Sequence, residues 1–274
     1  MSLIRRGVTV VELLVALVLF GVCATAVTGV MRRFLSGYRA TVQSIDRRQN
    51  LRIAAAFLPA ELRALDAADG DIVAMSRTAL TIRAPRVFGV LCRDQPAGTT
   101  GAAALVLSGA LRYGVRNVDP DGDTLLILAT GAADNWIPSG VTSVGIATCA
   151  DGTPGIRLGV TLPAPDGFPA GTPVQGFETI TYRLYRSSED GRWYIGEQEG
   201  ASLQPLLGPV TADGLALDYL DSTGAVTTDP TLVRLIDVRV RAPTAEPIRD
   251  ASGRLGQVID SLVTLVALRN NRRR

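Results

Sequence analysis

Arg5-Arg6-Gly7-Val8-Thr9-Val10-Val11-Glu12 leads directly into Leu13-Leu14-Val15-Ala16-Leu17, and from Val8 to Met31 the residues are almost all apolar. A run of that length matches the roughly 20 residues an α-helix needs to cross the hydrocarbon core of a bilayer. Glu12 is the one charge within it. A carboxylate in a membrane helix costs about 2–3 kcal/mol even on a lenient insertion scale, so it asks for a partner and marks a functional residue.

Three ordinary readings of this segment compete. A secretory signal would use Arg5 and Arg6 as its basic region and Ala24-Thr25-Ala26 as its cleavage site, but the apolar core of such a signal is uncharged and Glu12 argues against it. A lipoprotein signal would carry lipid on Cys23, yet the bulky Val22 stands where a small residue should precede the cysteine. A plain membrane anchor explains the length and leaves Glu12 and the basic-Gly7 junction without a role.

The segment from Arg5 to Leu17 resembles the prepilin signal of type IV pilins and type II secretion pseudopilins, in which a short basic leader ends in glycine and glutamate is the fifth mature residue. The resemblance implies cleavage between Gly7 and Val8, N-methylation of Val8, and an assembly role for Glu12. Phenylalanine or methionine is commoner in the family at the position of Val8, and leucine at that of Val10. Cleavage would leave a positive amine at Val8, and the amine of a neighbouring subunit could pair with Glu12, so that two charges costly in lipid become tolerable together. Arginines flank both ends of the run, Arg5 and Arg6 on one side and Arg32 and Arg33 on the other, so orientation is taken from the resemblance and not from charge. It implies a single-pass inner-membrane protein with a periplasmic C-terminal domain. Its implied partners are other pilin or pseudopilin subunits, a prepilin peptidase and an inner-membrane assembly platform; DNA is a partner that nothing in the sequence supports. A large domain behind this helix is similar to the type II secretion J component and the W-type minor pilins.

Working outward, Leu35, Tyr38, Val42 and Ile45, then Leu51, Ala55, Leu58, Leu62 and Leu65, recur at three- and four-residue spacing, with Arg39, Asp46, Arg47, Arg48, Arg52, Glu61 and Arg63 between them. An amphipathic helix therefore continues the apolar one. Its stripe is expected to pack on the protein's own sheet after Leu51 and on other subunits before it. Pro59 should kink the helix or end it near Leu58.

After Gly70 the pattern changes to short alternating runs. Ile156, Leu158, Val160 and Leu162 alternate with polar or small residues, as do Leu215, Leu217 and Tyr219, and Ile236, Val238 and Val240. Ile180, Tyr182 and Leu184 run into an Asp190-Gly191 turn, and Trp193 and Ile195 resume the alternation, which marks a hairpin. Ser261 to Leu268 is more continuously apolar and reads as an interior strand. The fold class is α+β and pilin-like: a leader over 1–7, a helix over 8–66 that spans the membrane at about 8–31, and an antiparallel β-rich domain over 71–274.

Histidine is absent and all 28 basic residues are arginine, so there is no imidazole base, no Schiff-base lysine and no Walker A lysine. Enzymatic activity is not expected, nor is a cofactor. Net charge is +2, too small to imply a nucleic-acid partner. The three cysteines have no zinc spacing. Cys92 and Cys149 either remain two unrelated buried thiols or, in a domain outside the cytoplasm, form a disulfide whose loop of roughly sixty residues would add about 2–4 kcal/mol. No metal is expected: Asp119-Pro120-Asp121-Gly122-Asp123 looks like a calcium loop but lacks the distal glutamate, and reads first as a turn before a strand over Thr124–Thr130. Trp136, Trp193 and the tyrosines at strand spacing read as core rather than as stacking platforms. The reading from another class is a secreted or membrane-anchored β-rich binding protein for carbohydrate or DNA.

Overall fold

The structure, a computed structural model, describes residues 9–98, 101–114, 116–120, 122–129, 135–163, 167–249 and 254–269. It begins with one helix, α1 (Val10–Arg63), followed by antiparallel strands. The chain divides into two compact units, one of residues 1–49 with 243–260 and one of residues 50–242 with 261–274.

In the first unit the helix presents its apolar residues outward: Val10, Val11, Leu13, Leu14, Val15, Leu17, Phe20 and Phe34 are all exposed. Arg47, read from the sequence as part of the polar face, is instead buried, and its Nη2 pairs with Asp260 Oδ2 at 2.8 Å. Aliphatic length lets arginine bury its stem where a carboxylate receives its head. The Glu246 N–H donates to Gln43 Oε1 at 3.3 Å, and the Thr244 N–H donates to Val258 O at 2.9 Å.

The second unit holds the rest of the helix and most strands: β1 (Ile72–Met75), β2 (Ala79–Val90), β3 (Gly101–Ser108), β4 (Tyr113–Gly114), β5 (Asp123–Ala129), β6 (Asn135–Thr148), β7 (Pro154–Leu162), β8 (Pro173–Arg186), β9 (Trp193–Glu199), β10 (Ser202–Val210), β11 (Leu215–Leu220) and β12 (Leu235–Pro243). Short β13 (Ile248–Arg249) and β14 (Leu255–Gly256) pair with each other, and β15 (Ile259–Ala267) ends the series. The ten-stranded sheet is organised around the long β2–β8 ribbon, paired from Ala79↔Arg183 to Val90↔Pro173. On its other edge, β8 meets β5 through Val174–Glu178 and β9 through Ile180–Arg186.

One ribbon thus serves two cores. Its first half, with Leu80, Ile82, Ile180 and Tyr182, joins Ala54, Leu58, Leu62 and Leu65 of the helix region and Leu217, Val238 and Val266 of the three-stranded sheet β11-β12-β15. Its second half, with Val87 and Val174, joins Leu105, Leu125, Ile127, Val141, Leu158 and Val160. There the order β2-β8-β5-β6-β7-β3 returns on itself, because Leu91 bridges Leu107 and the Cys92 N–H donates to Val106 O at 2.9 Å. The two ends of the row thus meet at this point, which covers part of the β3 edge. Cys92 and Cys149 are disulfide-bonded beside the closure, with S–S 2.02 Å.

Of the two outcomes expected at Pro59, a kink or an end, the helix does not end there. It continues through Pro59 to Arg63, because burial of Leu58 and Leu62 holds the last turn although Pro59 withdraws one N–H. Ala54, not Ala55, is the buried alanine of the stripe. The β8–β9 hairpin forms around Asp190-Gly191, with Gly191 at φ +68, the left-handed backbone that glycine adopts without cost. Expected to be interior, β15 is an edge strand: among the described residues it pairs only with β12, and Val263 and Leu265 are exposed on one of its faces. A continuous apolar run does not separate a doubly covered strand from an edge strand whose outer face is uncovered.

Candidate functional site: the N-terminal helix

Of the residues singled out for processing and assembly, Gly7 and Val8 lie outside the described residues, whereas Glu12 is described. It forms a capping box with Thr9: the Glu12 N–H donates to Thr9 Oγ1 at 3.2 Å, while the Thr9 N–H and hydroxyl donate to Glu12 Oε2 at 2.9 and 3.0 Å. The pair supplies two helix-end N–H groups with acceptors, and the carboxylate sits at the positive end of the helix dipole. The T-x-x-E spacing that encodes this box is present in the sequence, but the carboxylate is read there only as a charge needing a partner. Oε1 makes no hydrogen bond within the chain among the described residues, so one acceptor remains for an outside donor.

Around Glu12 the helix offers an 18-residue window of mean hydropathy 2.6, none of it buried by the rest of the chain. Exposed apolar surface of that extent is stable only against lipid or other apolar surfaces. Cys23, on the same stretch, is a free exposed thiol.

The family model described as the prokaryotic N-terminal methylation motif matches residues 4–28. The chain therefore has a type IV pilin-like N-terminus, the kind of segment that a prepilin peptidase processes and that assembles with other pilin subunits. Motif and apolar helix together fit anchoring in a membrane. No curated protein and no solved structure matches the chain.

The remaining sequence candidates have structural employment. Arg116 grips Asp123 with two bonds, Nη2 to Oδ1 at 2.7 Å and Nη1 to Oδ2 at 2.9 Å, and the Asp119 N–H donates to Asp123 Oδ2 at 2.8 Å. Asp123 is thereby committed to a guanidinium and an amide rather than to calcium. Asp121 lies outside the described residues, and no metal-holding cluster occurs among the described ones.

Asp123 ends a chain of alternating charges that sequence reading did not find. Glu61 of the helix accepts from Arg86 Nη1 at 3.1 Å, Arg86 Nε donates to Glu178 Oε2 at 2.7 Å, and Arg116 Nη2 lies 3.2 Å from the same oxygen before reaching Asp123. Arg86 occupies the bulge where the β2–β8 register shifts between Pro85 and Val87, at the division between the two cores. Burial pushes the Glu178 carboxyl up, but the Arg86 hydrogen bond and the Arg116 charge outweigh it and hold it below the ordinary carboxylate range. Glu199, which shares a hydrogen bond with Glu178, is held above that range by the bond and by burial. These residues are scattered over nearly 140 positions, and no local spacing announces them.

Proposed function

We propose that this chain is a structural, non-enzymatic subunit, a minor pilin or minor pseudopilin, that enters a type IV pilus or type II secretion pseudopilus through its N-terminal helix, at or near the tip. Processing falls between Gly7 and Val8, Val8 becomes the methylated first residue, and Glu12 receives the amine of a neighbouring subunit. Before assembly the protein is a single-pass inner-membrane protein with its β domain in the periplasm, handed to the filament by the assembly platform. The observation that carries the proposal is the methylation motif over residues 4–28 on a helix whose apolar residues are exposed along its first half.

One feature favours a minor subunit and another a periplasmic domain. The β domain is large, with two cores on one ribbon, and in combining the helix with a sizeable β domain the chain resembles the J component and the W-type minor pilins. The Cys92–Cys149 bond suits an oxidising compartment and hence a periplasmic domain. Coexpression with a prepilin peptidase tests the proposal: N-terminal sequencing should find the seven-residue leader removed and Val8 methylated. Cleavage after Ala26 instead would make the segment an ordinary secretory signal and overturn it.

A further inference from the structure

On the outer side of the β2–β8 ribbon lies a cleft of about 570 Å³, built within the second unit. Three side chains line it in one row. Tyr113 pairs with Phe88 and Phe88 with Gln175 in the antiparallel registers of β4, β2 and β8, and directly opposed residues of antiparallel strands share a face. Gly114 brings β4 this close, since a Cβ there would stand 2.5 Å from the Arg86 carbonyl oxygen. Tyr113 and Phe88 are 67% and 41% exposed, so two aromatic rings lie open where the rest of the ribbon's large apolar residues are mostly covered.

The opposite wall carries Asp66, only 2% exposed. It is rigidly held: its N–H donates to Asp71 Oδ2 at 2.9 Å, and its Oδ1 accepts from the Ala68 and Asp69 N–H groups at 2.9 and 3.3 Å. Its other oxygen, Oδ2, is buried and has no hydrogen-bond partner among the described residues. A buried carboxylate oxygen left unmatched costs about 1–3 kcal/mol, more when charged, and calls for a donor from outside the chain. Arg269, also in the lining, carries a guanidinium that enters no ion pair among the described residues, and the Gln175 amide, which can donate and accept, makes no side-chain hydrogen bond among them. Arg86 is not available, being committed to Glu61 and Glu178.

We infer that this cleft binds a neutral saccharide segment. Such a ligand brings hydroxyl donors for Asp66 Oδ2, hydroxyl acceptors for Arg269 and Gln175, and flat C–H faces that lie on the rings of Tyr113 and Phe88. A cation meets two guanidinium groups at the wall and an anion meets Asp66, whereas a polyol meets complementary groups in each direction. Nucleic acid fits less well, because a single arginine available beside a carboxylate is a poor phosphate track.

The test uses the full chain in lauryldimethylamine oxide micelles, which present no sugar headgroups, titrated by calorimetry with cellotetraose, maltotetraose and chitotetraose. At least one tetrasaccharide should bind, and Tyr113→Ala should weaken it about tenfold, the loss of one ring contact. Asp66→Asn, which keeps the Oδ1 acceptor for the turn, should weaken it comparably without changing the thermal unfolding curve. Gln175→Ala gives a third handle should Asp66→Asn lower expression. Absence of binding to all three sugars, or binding that survives both Tyr113→Ala and Gln175→Ala, overturns the inference. So does binding of a thymidine dodecamer that is lost in those same variants, which would assign the cleft to nucleic acid. Because none of these readouts involves leader cleavage or filament assembly, failure here leaves the proposed subunit role standing, and failure of that role leaves this cleft untouched.

Discussion

Two stretches of α1 are alike in composition and opposite in circumstance. Between Val10 and Phe34 valine, leucine and phenylalanine stand exposed on every side, and between Ala54 and Leu62 alanine and leucine are buried in the first core. In the second stretch the buried residues Ala54, Leu58 and Leu62 recur at helical spacing while the exposed positions hold only the small Ala55, Ala56 and Ala60, so a single sheet-facing stripe satisfies it. In the first there is no polar face to turn toward water, and only a surrounding apolar medium satisfies the whole circumference. One half of the helix folds the protein; the other half is completed by something outside the chain.

The largest expected effect breaks the outer half alone. Glu12→Val should abolish incorporation into filaments while membrane insertion and the β domain persist. The capping box makes a sharper pair available, because glutamine serves the same box without a charge. Glu12→Gln should therefore also block incorporation, and Thr9→Ala, which removes the cap and keeps the charge, should assemble. Normal filaments from Glu12→Gln, scored by shearing and immunoblot, would reassign Glu12 from charge partner to helix cap. The inner half is broken by Leu62→Ala, which opens a cavity where the helix meets the sheets and should cost about 2–5 kcal/mol of domain stability. Insertion in the membrane should be unaffected. Urea unfolding of the full chain in micelles measures the first and alkaline extraction of membranes the second; a Leu62→Ala domain as stable as the parent would contradict the packing assigned to that stripe.

What was legible in the sequence follows the same division. Periodicity exposed the helix, the β8–β9 hairpin, and the buried faces of β7, β11 and β12, because each is a local pattern with one covered side. It failed for β15, where an apolar run conceals which edge is paired, and for Arg47, whose burial depends on Asp260 more than two hundred residues away. The N-terminal motif was legible because its chemistry is written in consecutive residues. The Glu61–Arg86–Glu178–Arg116–Asp123 chain and the Tyr113–Phe88–Gln175 row were not, since strand register, and not spacing, brings their members together.

A middle-sized effect is expected in the second core, which has no contribution from the helix. Replacing both Cys92 and Cys149 by alanine releases a loop of separation 57 and should cost about 2–4 kcal/mol. The loss should appear in hydrogen exchange first at β3 and β7, next to the closure of the strand row. Exchange that rises equally across the strands of the first core would mean that the two cores unfold as one, and that the ribbon couples them more tightly than their separate clusters suggest.

The smallest effect tests that coupling directly. Glu178 stands between the cores with both arginines on it, yet Arg86 retains Glu61 and Arg116 retains Asp123 when it is gone. Glu178→Gln should then cost only about 1–2 kcal/mol at neutral pH, well short of an uncompensated buried charge. Its pH dependence carries more information than its size. Because Glu178 is held below the ordinary carboxylate range, its folded pKa lies under its unfolded one. The stability it contributes is complete above the unfolded value of about 4.3 and is lost as pH falls through the folded value. Glu199, held above the range, works in the opposite sense: its contribution is complete below the unfolded value and is lost as pH rises through its folded one. Removing Glu178 should flatten the acid limb and also bring Glu199 down, because the shared hydrogen bond that raises it disappears. Thermal unfolding between pH 3 and pH 7 should accordingly show parent and variant converging toward acid and separating toward neutral. A gap that stays constant over that range would mean that Glu178 joins the two cores by shape, with its charge immaterial.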